Sequence, residues 1–288
     1  MVVLITGATS GFGYEFARYS LGLVARNEQR LLERTAYLTR AFLIEVMPLA
    51  KDFNPAAASE IYEAVSSKGL SIDVLINNAG QGEHTNFVQS DTDIDVIQLN
   101  VTSVVCLTKL FLCDMLAHNA GRILQVAVLA KYPTQYMSVY AATKAFLLSL
   151  GESINREVGD SNVTITTLVA GGSDTYFYHK AGAEETVAYR EDDLARPQTV
   201  AKDAFCALMR GEKRIVSGTR NKLYAALSTI LPDDKRSAMS PSRAPAGREH
   251  PSHVPSDDER EQINGTTGGP DGDFDIHKDH IHNKTKVI

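Results

Sequence analysis

A run of aliphatic residues, Val2-Val3-Leu4-Ile5, passes without a break into Thr6-Gly7-Ala8-Thr9-Ser10-Gly11-Phe12-Gly13. No other feature narrows the fold so far. A short β-branched run reads as a buried strand. Glycines directly after it permit a tight turn and a close approach of backbone, and the helix that follows presents free N–H groups to an anion. Alone, such a loop is either a structural turn or a phosphate cradle; its place at the first strand–helix junction favours the cradle. The same run reads as a strand rather than a signal peptide, because it leads straight into the glycines.

The rest of the chain keeps up the alternation. Strand-like runs at 2–6, 21–25, 44–48, 74–77, 122–128, 163–169 and 214–218 alternate with helical patterns at 12–20, 29–40, 56–67, 91–117, 138–158 and 199–210. This order predicts an α/β fold, a Rossmann-like doubly wound parallel sheet covered on both faces. A ligand then sits at the carboxyl edge of the strands. One corner is too short. A helix returning along a five-residue strand needs about eleven residues and a turn. The first helical stretch has fewer, so either that helix is short or the second strand is distorted or lost. Residues 1–235 form a single domain, large enough for one core. Residues 236–288 turn to Pro, Ser, Gly, Asp and His with few aliphatics, and we expect a disordered tail.

Three further motifs stand in order: Asn77-Asn78-Ala79-Gly80, Leu99-Asn100-Val101, and Tyr140-Ala141-Ala142-Thr143-Lys144. Tyr140 and Lys144 have the i,i+4 spacing that puts both on one helix face. A phenol is too weak an acid to ionise easily near neutral pH. An ammonium one turn away favours the phenolate and suits the pair to proton transfer. For the pair alone, an ordinary amphipathic helix surface is the alternative.

Taken together, the glycine loop, Asn-Asn-Ala-Gly, Asn100 and Tyr-x-x-x-Lys resemble the short-chain dehydrogenases/reductases over roughly residues 1–230. The resemblance implies hydride transfer between a nicotinamide cofactor and a small or medium carbonyl or alcohol. It makes Asn100, Tyr140 and Lys144 the catalytic candidates, with Asn100 ordering a proton-relay water and Lys144 also binding the nicotinamide ribose. The cofactor-binding candidates are Gly7, Thr9, Ser10, Gly11, Phe12, Gly13, Arg26, Asp52, Asn78, Ala79, Gly80, Tyr140, Lys144, Gly171 and Thr175. Asp52 matches the acid that meets the adenine, or is an ordinary loop acid. Thr175 matches the threonine that binds the carboxamide. At the end of the second strand stand Ala25-Arg26-Asn27, with no acid. Arginine suits a 2′-phosphate, so NADP is favoured and NAD possible; a solvated surface arginine is the alternative.

The chain departs from the family at two places. Ala170 replaces the proline before Gly171. More seriously, Gln125-Val126-Ala127-Val128 lacks the serine expected shortly before Tyr140. With a one-residue gap in the loop, Ala127-Val128 occupies its place, and neither side chain donates a hydrogen bond. Losing one such donor typically costs about 10²–10³ in rate. The alternative to an impaired enzyme is an inactive relative that binds cofactor or a protein partner. Thr134 and Ser138 are poor substitutes; Ser138 is two before Tyr140 and faces elsewhere on a helix.

On the substrate side, Tyr176-Phe177-Tyr178 and residues 132–137 supply aromatic surface for an apolar pocket, or for plain loop packing. The helix at 101–117 is apolar on most sides, which one sheet face does not cover. With residues 140–158 it is expected to form the seam of a homodimer or homotetramer, as in relatives. The net charge of −6 argues against a nucleic-acid partner. There is no run of about 18 apolar residues, so no membrane span is expected. Cys106, Cys113 and Cys206 cannot all pair, which fits a reduced, cytoplasmic setting; Cys106 and Cys113 share a helix face and read as core packing rather than metal ligands. His277, His280 and His282 with Asp275 and Asp279 bind a metal loosely or simply belong to a solvated tail; no metal site is assigned.

Overall fold

In a computed structural model the described residues are 1–17, 23–24, 28–42, 47–51, 56–128, 136–171, 173, 177, 181, 194–218 and 221–222, with backbone alone for 23–24, 30, 41 and 42. The expected disordered tail, Arg26, Asp52, Thr134, Thr175, Tyr176 and Tyr178 lie outside them.

Among the described residues, seven parallel strands alternate with helices. β1 (Val3–Ile5) leads to α1 (Gly11–Ala17), β2 (Leu23–Val24), α2 (Glu28–Phe42), β3 (Pro48–Leu49), α3 (Ala57–Ser66) and β4 (Val74–Asn77). After α4 (Asp93–Ile97) comes one wide π-helical turn, Gln98–Thr102, and then α5 (Ser103–Ala117). β5 (Gly121–Val128), α6 (Ser138–Glu157), β6 (Val163–Ala170), α7 (Pro197–Met209) and β7 (Arg214–Val216) follow. The main sheet has the order β1-β4-β5-β6-β7, and β2 pairs with β3 in a separate ladder. β2 runs alongside β1. The chain therefore leaves β1 on one side and returns to β4 on the other, which makes a switch point at the β1–β4 edge.

Both faces of the sheet are covered. On one face Phe16 and Ala17 of α1, Leu31 and Leu38 of α2, and Val200, Ala201, Ala204 and Leu208 of α7 pack on Val3, Ile5, Leu124, Val126 and Leu168. On the other, Ile61 and Val65 of α3 and Leu107, Phe111 and Met115 of α5 pack on Leu4, Leu75, Ile123 and Ile165. Strand residues alternate between the two faces with the period of two that the pleat requires.

The second unit is short as foreseen, and its strand is Leu23–Val24, outside the main sheet. Three expectations need correction. The third strand, expected at 44–48, is Pro48–Leu49 among the described residues, and 44–46 lie outside them; a proline without an N–H suits the first residue of an edge strand. The helix expected over 91–117 is interrupted by the π-helical turn that carries Asn100. Cys106 is half-buried against the core but Cys113 is exposed, so only one packs as expected. Residues 93–117 taken as one helix are also long and apolar enough to cross a bilayer by length and composition. A core helix passes the same test, and the buried stripe of Val104, Leu107, Phe111 and Met115 faces into the fold.

Candidate active site

The glycine turn at the end of β1 is held from beneath by the end of β4. Thr6 Oγ1 accepts from the backbone N–H groups of Asn78 and Ala79, each at 3.0 Å. The Asn78 side chain donates to the carbonyls of Thr6 (3.0 Å) and Gly7 (3.2 Å). Gly7 has φ +72°, a conformation that glycine enters without strain. A Cβ on Gly13 would lie 2.0 Å from the Gly7 carbonyl oxygen and 2.5 Å from Asn78 Nδ2. No side chain fits there, so the first turn of α1 lies flat against the loop. Thr9, Ser10 and Gly11 complete the turn, and Phe12 packs back on the core. A turn this bare of side chains fits the pyrophosphate of a dinucleotide.

Three other candidates converge beside it. Lys144 is 3% exposed, and its Nζ donates to the Val126 carbonyl at 3.0 Å. Burial pushes its pKa down from 10.5 to about 8. Asn100 is fully buried; its Nδ2 donates to Gln81 O at 2.8 Å and to Thr143 Oγ1 at 3.0 Å, and its Oδ1 accepts from Gln81 N at 3.0 Å. Thr143 Oγ1 in turn donates to the Tyr140 carbonyl at 2.7 Å. Asn100 thus ties the loop after β4 to the turn of α6 that carries Tyr140. The π-helical turn turns this side chain inward, a use for which such turns are common at functional sites. A Cβ on Gly80 would lie 3.1 Å from Lys144 Nζ and 3.3 Å from Asn100 Oδ1.

Tyr140 is half-buried in the first turn of α6. Its ring lies 5.7 Å from Lys144 Nζ and 4.8 Å from the ring of Phe177. On another side is Gly82, where a Cβ would come within 2.9 Å of the tyrosine ring. Met137 and Ala181 close a small apolar cluster with Tyr140 and Phe177. Of the aromatic surface expected from residues 132–137 and 176–178, Phe177 packs on Tyr140 and Tyr136 on His84; residues 132–135, 176 and 178 lie outside the described residues.

Ala127 and Val128 are the last two residues of β5, paired with Val169 and Ala170 of β6. Ala127 is sealed between Val104 and Leu147. Val128 ends the strand at its carboxyl edge, half-buried. Gly171 follows β6, and the side chain of Asn221 lies over it; a Cβ on Gly171 would meet Asn221 Nδ2 at 2.1 Å. Ser138 is exposed at the start of α6.

The sequence reading did not single out Gln81, Gly82, Thr143 or Asn221. Gly82 carried a usable signal, because a second glycine so soon after Gly80 marks another close approach of backbone. The partners of Asn100 carried none, since they come together only through the fold.

A family model described as short chain dehydrogenase matches residues 1–186. The NADP-dependent 3-hydroxy acid dehydrogenase of Schizosaccharomyces pombe is 28% identical over 233 residues, covering 75% of this chain and 90% of its own. The very-long-chain 3-oxoacyl-CoA reductase of Bos taurus is 25% identical over 245 residues, covering 80% of this chain and 75% of its own. Among solved structures, a short-chain dehydrogenase from Sphingobium yanoikuyae in complex with NADPH superposes with a TM-score of 0.71 at 25% identity, covering 88% of this chain and 99% of that one.

Proposed function

The chain belongs to the short-chain dehydrogenase family, and on that premise we propose that it is an NADP-dependent oxidoreductase acting on the ketone or secondary alcohol of a 3-oxoacyl or 3-hydroxyacyl compound. The observation that carries the reading is the meeting of Tyr140, Lys144 and Asn100 beside a glycine turn at one sheet edge. The substrate class rests on the names of the two relatives above.

Gly7, Thr9, Ser10, Gly11 and Gly13 would hold the dinucleotide phosphates, and Arg26 the 2′-phosphate. Asn78, Ala79, Gly80 and Lys144 would flank the ribose groups, and Gly171 and Thr175 the nicotinamide. The cofactor supplies or accepts the hydride. Tyr140 gives a proton to the substrate oxygen in reduction and takes it back in oxidation. The nearby ammonium of Lys144 stabilises the phenolate that this leaves. Asn100 holds the loop at Gln81 and, through Thr143, the backbone of Tyr140 in fixed register. Val128 stands where a serine would hold the substrate oxygen, so the chemistry runs slowly. The free thiols fit a reduced, cytoplasmic setting, and the apolar surface of α4 and α6 supports assembly as a homodimer or homotetramer.

A second reading is favoured by Val128 and by the ring of Phe177 over Tyr140: a protein that binds cofactor without turnover. Consumption of NADPH in the presence of S-acetoacetyl-N-acetylcysteamine, a small 3-oxoacyl thioester, separates the two. The oxidoreductase reading predicts slow consumption that disappears in Tyr140→Phe. Binding of NADPH with no consumption, by the wild type or by Val128→Ser, would favour the second reading.

A further inference from the structure

The loop 81–86 runs beside Tyr140 and carries one buried polar group outside the Tyr140–Lys144–Asn100 constellation. His84 Nε2 is out of contact with solvent and, among the described residues, has no hydrogen-bond partner. A buried nitrogen left so costs free energy unless a ligand satisfies it. Its neighbours belong to the cluster around Tyr140. The His84 ring packs on Tyr136, with ring centroids 5.4 Å apart. Its backbone N–H donates to the Ala181 carbonyl at 2.7 Å, and Ala181 packs with Met137, Tyr140 and Phe177. Gly82, two residues earlier, lies against the Tyr140 ring itself.

The same stretch holds a strained backbone. Tyr136 has φ +64°, a left-handed conformation that a bulky side chain seldom adopts. It is fixed there by the Thr85 N–H, which donates to the Tyr136 carbonyl at 2.9 Å. Strain of this kind persists where the surroundings over-determine it, and it collects at ligand sites. The neighbouring acid is not the missing partner of His84: Glu83 Oε2 accepts from Ser90 Oγ at 3.1 Å and Thr92 Oγ1 at 2.5 Å. Desolvation lowers the His84 pKa, so the imidazole is neutral near neutral pH and carries one donor and one acceptor nitrogen.

We propose that His84 is a substrate-recognition residue whose Nε2 hydrogen-bonds a second polar group of the substrate, the acyl carbonyl of a 3-oxoacyl compound. This rests on the oxidoreductase reading for the identity of the substrate, and it deepens that reading. A substrate with only one carbonyl leaves Nε2 unpaired, and a site built around a hydrogen bond rejects the analogue that lacks it.

The test uses the full chain loaded with NADP in its oxidised form, in which a ketone binds but cannot be reduced. The dissociation constants of S-acetoacetyl-N-acetylcysteamine and of 2-heptanone are measured for the wild type, His84→Phe and His84→Gln. The proposal predicts about tenfold weaker binding of the thioester to His84→Phe. Binding of 2-heptanone stays unchanged, and the thioester is recovered to within a few-fold in His84→Gln. Equal losses for both ketones would make His84 a packing residue and overturn the proposal, as would no loss for either. Wild-type protein that binds neither ketone overturns it too. Selective, His84-dependent binding without turnover of NADPH would retain this proposal and sink the oxidoreductase reading.

Discussion

Lys144 carries the most enclosed charge of the site, and its enclosure has a consequence for stability. Its folded pKa is lowered to about 8 from an ordinary 10.5. Between those values the unfolded chain holds a proton that the folded chain has lost, so this group makes stability rise with pH across that window. Below about pH 8 the penalty of the buried ammonium is fully present. We expect cofactor-free Lys144→Met to unfold at higher urea than the wild type near neutral pH, with the gap closing as pH approaches 10.5. A gap independent of pH would contradict the assignment. At the other key position, Val128→Ser should raise the rate on the 3-oxoacyl thioester by about 10²-fold, measured as NADPH consumption per enzyme. An unchanged rate would mean that the strand edge is not where the substrate oxygen lies. The placing of Tyr140 and Lys144 one turn apart on a single helix was legible in the sequence because their relation is local. The clasp of Asn100 on Gln81 was not legible, since nothing in residues 81 and 100 announces that an interrupted helix turns one toward the other.

The elements differ in how firmly the sequence specified them. β4, β5 and β6 were read nearly to the residue, because strands buried on both faces are continuous aliphatic runs between turn signals. The second unit was read as too short, and it forms a two-residue β2 outside the main sheet. Its exact register did not follow, because so few residues leave the pairing to tertiary contacts. The glycine turn is the element on which cofactor binding depends. Gly13→Ala places a methyl 2.0 Å from the Gly7 carbonyl oxygen, and we expect it to weaken NADPH binding by at least about tenfold and to destabilise the fold by about 1–3 kcal/mol. Both are read by titration and urea unfolding. Within the central sheet, Asn77, Gln125 and Thr167 are register partners on β4, β5 and β6. Asn77 Oδ1, both amide atoms of Gln125 and Thr167 Oγ1 are buried without partners among the described residues. Gln125→Leu keeps the volume and removes two such atoms, so it should raise the urea midpoint by about 1 kcal/mol equivalent. A lowered midpoint would show that these side chains bond to one another across the strands.

For the whole molecule, the neighbouring helices α4 and α6 both carry exposed apolar side chains, whereas the stripe of α5 expected in the seam is largely buried. Ile94 is 77% exposed, Ile97 39% and Phe146 41%. Covering such a surface with a second copy removes it from water. Light scattering on the purified chain should give a dimer or tetramer, and Phe146→Glu should give a monomer that keeps its fold; a monomeric wild type would contradict the proposed seam. Any redox chemistry of the chain depends on whether the glycine turn between β1 and α1 receives a dinucleotide in spite of the short unit that follows it. The most direct test is a fluorescence titration of the full chain with NADPH and, in parallel, with NADH. The account predicts saturable binding of both, tighter for NADPH; no saturable binding of either nucleotide would contradict it.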